Sequence, residues 1–122
     1  MTEKDIPAEA SQLVCTFPDS SVVTPLLFQI GYLLIGLRRV SRDQAEGLIL
    51  ATSVMLSGKS LTTQEFVAGV DQLINNQSLD VSREAIRILI DQILGKFQQF
   101  NMTPDYGQAV SKALKGKFNQ EP

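Results

Sequence analysis

The chain has no histidine and no tryptophan, and it holds a single cysteine and two tyrosines among 122 residues. Without histidine it lacks the usual general base at neutral pH and the commonest zinc ligand. One cysteine closes no internal disulfide and builds no structural zinc site, and this usage is compatible with a reducing compartment. Cys15 follows Leu13 and Val14 and precedes Phe17. With nothing nearby to lower its pKa, it reads as a small buried hydrophobe instead of a nucleophile. Charge of neither sign is in excess: 11 basic and 13 acidic residues leave a net −2, which gives no overall attraction to nucleic acid or anionic lipid. The eight glycines form no phosphate-cradling pattern. Sustained period-two alternation is also missing, so strands are not expected. The opening stretch MTEKDIPAEASQLV lacks the basic start and apolar block of a secretory signal, and a cytoplasmic location is expected.

Carboxylates remain as candidates for chemistry. Asp43, Glu46, Glu65, Asp71, Glu84 and Asp91 fall mostly in first helical turns or opposite apolar stripes, where solvated charges belong. The phrase GKSLTTQEFVAGV has the texture of a calcium-binding helix–loop–helix. The twelve-residue window ending at Glu65 contains no other carboxylate, however, whereas a calcium loop needs several oxygen ligands. No catalytic residue, cofactor site or metal ligand is therefore assigned, and a non-enzymatic protein is expected.

What the chain does have is apolar material at helical spacing, with 43% hydrophobic residues in a length that fits one domain with a real core. From Ser20 to Leu37 no residue is charged. That run reaches the lower limit for a membrane span, about 18 residues, but Pro25, Gln29 and the hydroxyls of Ser20, Ser21 and Thr24 shorten its apolar core to the length of a buried helix. Its spacing predicts a helix capped by Thr24 with Pro25 as the first residue. Its apolar residues go all the way around the cylinder. In a domain of five or six helices, neighbours cover only part of such a circumference. One stripe, Phe28, Tyr32 and Ile35, is therefore expected in an interface with a protein partner or a second copy.

The remainder reads as capped helices. Ser41 with Gln44 opens one of about 42 to 57, with Ala45, Leu48, Thr52 and Met55 inward. Thr62 with Glu65 opens another of about 63 to 75, with Phe66, Val70, Leu73 and Ile74 inward. Asp80 or Ser82 caps a helix of about 82 to 100 with Ile86, Ile90, Ile93, Phe97 and Phe100 at spacings of four and three. Thr103-Pro104-Asp105 opens the last, to about 118, with Tyr106, Ala109, Val110, Ala113 and Leu114 inward. The fold expected is all-α, a compact single-domain bundle of about five helices over residues 22–118. Segment 1–21 precedes it, partly ordered with a short helix near 7 to 15, and 119–122 forms a tail.

Residues 40–77 and 81–118 align without a gap at an offset of 41, with eight identities that include Val40-Ser41-Arg42 against Val81-Ser82-Arg83 and Thr62 against Thr103. Two related helical hairpins would give this pattern. So would caps and leucines recurring as they do in any helical protein, and the sequence leaves both readings open. Basic residues gather at Arg38, Arg39 and Arg42, and at Lys112, Lys115 and Lys117. The second group suits a helix C-terminus electrostatically. It also supplies the contacts for an alternative function, a small DNA-binding protein with a helix-turn-helix-like pair. The function expected first is a helical interaction module, an adaptor, chaperone-like or assembly subunit acting through apolar helix packing.

Overall fold

The computed structural model describes residues 13–119. Five helices, α1 (Ser20–Gly36), α2 (Arg42–Leu56), α3 (Thr63–Asn75), α4 (Arg83–Phe97) and α5 (Pro104–Phe118), form one compact bundle with a two-stranded ribbon, β1 (Val14–Thr16) and β2 (Ser60–Thr62). The bundle of five helices is the fold expected, and the two short strands correct only the expectation that the chain has none. They pair antiparallel with Val14 opposite Thr62, Cys15 opposite Leu61 and Thr16 opposite Ser60, and three-residue strands are too short for alternation to register in sequence. The helix expected near 7 to 15 falls mostly outside the described residues; within the overlap, Val14 and Cys15 are strand. Just beyond the ribbon, the Phe17 amide donates to the Lys59 carbonyl at 2.8 Å. Cys15 and Phe17 are both buried, so the core takes in residues ahead of position 22.

The helix boundaries follow local chemistry. Ser41 with Gln44 and Thr62 with Glu65 each form a complete capping box, and Ser82 and Thr103 cap α4 and α5 by accepting from Ala85 and Tyr106 amides. The start of α1 differs from the expected one. Asp19, not Thr24, is the cap, accepting from the Ser21 amide, and Pro25 lies inside the helix. Pro25 removes the hydrogen bond that the Ser21 carbonyl would otherwise accept, yet the extra turn carries Val23 into the core, fully buried. At the other end Arg38 takes φ 59°, and the amides of Arg38 and Arg39 donate to the carbonyls of Ile35 and Leu34, the paired bonds of a Schellman motif. Helix α4 stops at Phe97, which leaves Phe100 in a turn and exposed, outside the inward face expected for it.

Alongside the aliphatic core, a cluster of aromatic rings sits near the ribbon. Phe17 stacks on Phe66 at 6.0 Å between ring centroids and meets Phe97 edge-on at 5.6 Å, and Tyr106 meets Phe66 edge-on at 6.2 Å. The buried Tyr106 hydroxyl donates to the Thr62 carbonyl at 3.3 Å, tying α5 to β2.

The 41-residue offset is a feature of the fold. Helices α2 and α4 each have 15 residues and begin 41 positions apart. The buried residues Ala45, Leu48, Ile49, Thr52 and Leu56 correspond to Ile86, Leu89, Ile90, Ile93 and Phe97, all buried. Helices α3 and α5 share the offset in start and cap, but their buried faces are turned: Val70 is buried and its counterpart Ser111 exposed.

Candidate interaction surface

Helix α1 lies against α2. The Thr24 and Ser53 hydroxyls are 3.1 Å apart, and a Cβ built on Gly31 would come within 2.5 Å of Ile49 Cδ1, so the two helices run antiparallel and in close contact. On this register Phe28 is level with Ile49 and Leu50. Phe28 is 42% exposed and Tyr32 65%, their rings 6.4 Å apart. Ile35, expected to complete that stripe, is half-buried and packs on the core. The helical rotation explains the split: Ile35 sits between the Gly31 side that meets α2 and the outward Tyr32 side. Leu33 and Leu37 are also exposed, on another side of the helix.

Two residues that sequence reasoning did not single out extend the surface. Leu50 and Val54, one turn apart on α2, are 67% and 65% exposed, opposite the buried face of Ala45, Leu48 and Thr52. Beside them an open groove of about 660 Å³ runs between α2 and α3, with Met55, Leu61, Leu73 and Leu79 in its walls. Its one charged lining residue is Lys59. Small residues shape it: a Cβ on Gly69 would lie 2.8 Å from the Met55 sulfur, and one on Gly47 3.3 Å from Leu79.

The second hairpin provides an internal comparison. At the 41-residue offset Leu50, Ala51, Val54 and Met55 become Asp91, Gln92, Gly95 and Lys96. Asp91 there pairs with Arg87 at 3.5 Å, an exposed i,i+4 pair of the kind that decorates a wet helix face. This comparison was available from the sequence, and it is the signal that would have found Leu50 and Val54.

The basic residues do not form one field. Lys112 and Lys115 are exposed on α5, whereas Lys117 is half-buried 3.9 Å from the Asp71 carboxylate. Lys115 lines a depression of about 180 Å³ between α4 and α5 together with Arg87 and Asp91, so charges of both signs face it. Arg39 pairs with Glu84 at 3.1 Å, linking the α1–α2 turn to α4.

Perturbed titratable groups lie away from this surface. Burial pushes the Cys15 thiol up to about 11 and raises Tyr106 well above the usual phenol range. The exposed Asp19 is held below the usual carboxylate range by hydrogen bonds from the Ser21 hydroxyl and amide. Among the described residues no three histidine, cysteine or acidic side chains come together as a metal site, and no helix is long and apolar enough to cross a membrane. No protein-family model matches the chain, and neither a curated protein nor a solved structure matches it.

Proposed function

We propose that the chain is a non-enzymatic helical interaction module, an adaptor, chaperone-like or assembly subunit of the cytoplasm, and that it works through the outer face of the α1–α2 hairpin and the adjoining α2–α3 groove. The observation that carries this reading is the contrast between hairpins. Leu50 and Val54 stand exposed where the same fold, 41 residues on, carries Asp91 and Gly95. Each exposed apolar side chain alone is unremarkable, but Phe28, Tyr32, Leu50 and Val54 on two helices in direct contact concentrate apolar area that monomers seldom leave in water. A groove flanked by such residues suits the mode in which a helix lays its apolar face between two others.

The test is a photoreactive amino acid placed at Val54, and in parallel at Gly95, in the protein expressed in its native host. Irradiation at position 54 is expected to give a discrete protein adduct that position 95 does not give. Equal, diffuse labelling at both positions would contradict the reading.

A further inference from the structure

The α2 surface carries the marks of a self-complementary seam. Asp43, Gly47, Leu50 and Val54 follow one another at spacings of four, three and four, which keeps them on one stripe of the helix and is the spacing of a helix-packing seam. Asp43, Leu50 and Val54 are exposed, and Gly47 is half-buried beside Leu79, which a Cβ there would approach to 3.3 Å. Turning a second α2 antiparallel about a two-fold axis at the level of Leu50 and Ala51 matches the stripe to itself. Val54 of each copy then meets Gly47 of the other, a branched side chain over a position with none, and Leu50 meets Ala51. Asp43 comes opposite Gly58 and Lys59, just past the end of the other α2. Among the described residues neither Asp43 nor Lys59 has an ion-pair partner within the chain. The symmetry forms the Asp43–Lys59 pairing twice. Phe28, level with Leu50, flanks the seam on one side and the α2–α3 groove flanks it on the other.

We propose that a second copy of this chain occupies the face, packed antiparallel along α2 with Leu50 and Val54 entering the small-residue positions Ala51 and Gly47. This rests on the reading of the hairpin face as an interaction surface and names its partner. Small against large and acid against base are both met by the stripe's own reversal, which is what an isologous interface requires and what an unrelated partner would have no reason to produce. The equivalent stripe of α4, Glu84, Ile88, Asp91 and Gly95, keeps only the small-against-large pair when reversed about the corresponding level: Gly95 meets Ile88, but the charged Asp91 meets Gln92 and Glu84 comes opposite Gln99 and Phe100, with no base to pair.

Sedimentation equilibrium on the full purified chain is the test. At about 100 μM, well above a micromolar dissociation constant, the expected mass is twice 13.4 kDa. Leu50→Asp, which installs the residue the second hairpin has at this place, is expected to give a monomer with unchanged helical circular dichroism. Asp43→Lys and Lys59→Asp are each expected to weaken the dimer about tenfold, since every substitution counts twice, and the double swap to restore it. A parent that is monomeric at this concentration overturns the proposal, as does a Leu50→Asp protein that stays dimeric or a double swap as weak as the singles. Failure here is distinguishable from failure of the broader reading. A monomer that still gives a discrete adduct at position 54 with a different protein overturns the second copy alone, whereas a monomer with no specific adduct overturns both.

Discussion

Gly31 and Gly95 both stand within helices, yet a methyl group meets opposite conditions at the two positions. At Gly31 it would lie 2.5 Å from Cδ1 and 3.3 Å from Cγ1 of the buried Ile49, whose β-branched χ1 is stiff, so that turning Cδ1 aside leaves the Cγ1 contact in place. Overpacking of this kind costs about 1–3 kcal/mol, which outweighs the gain of about 1 kcal/mol in helix propensity. At Gly95 no atom lies within 4 Å, so only the propensity gain remains. Gly95→Ala is therefore expected to stabilise the fold by about 0.5–1 kcal/mol, and Gly31→Ala to destabilise it by about 1 kcal/mol, with Ile49→Val recovering part of the loss by removing the offending methyl. Urea denaturation of the four proteins checks this. Cys15 gives a pH dependence. Its thiol is held neutral by burial, up from 9.0 to about 11, so the contribution is present below pH 9 and is lost as pH rises toward 11, where the unfolded chain ionises and the folded one resists. Tyr106 acts in the same direction. Melting temperature is expected to fall above pH 9, and less steeply in Cys15→Ala than in the parent. Below pH 9 the folded chain is expected to react with iodoacetamide far more slowly than the unfolded one.

Four of the five helix starts are set by caps whose partners lie three residues away, which is why those four could be read from sequence. Ser41→Ala removes one arm of a complete capping box and is expected to cost about 1 kcal/mol in denaturant melts; Ser82→Ala, at the same place in the second hairpin, is expected to cost a similar amount. Where reading failed, the competing cause lay farther away. Thr24-Pro25 has the form of a helix start, but burial of Val23 extends α1 back to Asp19. Val14–Thr16 and Ser60–Thr62 become strands because they pair with each other across more than 40 residues, not because either has strand character alone. The inward face expected of α4 ran on to Phe100 because the four-and-three spacing does, although the helix ends at Phe97.

At the scale of the molecule, the two hairpins allow one sequence to be compared with itself. Their first helices share five buried positions, with Ala85 and Leu94 buried in α4 besides, while their outer faces differ. An apolar run with no charge announced that some of α1 would remain uncovered, and Phe28 and Tyr32 do so. The inward stripe of α2 does not mark Leu50 and Val54, and a groove between α2 and α3 is a property of two helices that no single-helix pattern contains. The central claim is that this outer face is covered when the protein works. Hydroxyl-radical footprinting of the full chain inside its native host tests it most directly, because it reads the solvent access of named side chains. Phe100, 47% exposed and outside the face, serves as the internal reference. The expected result is that Leu50 and Val54, each more exposed than Phe100 in the single chain, are oxidised several-fold more slowly than their exposure requires, and that Leu50→Asp returns Val54 to the rate its exposure sets. Oxidation of Leu50 and Val54 in the parent at the full rate set by their exposure would show a face open to water and would contradict the account.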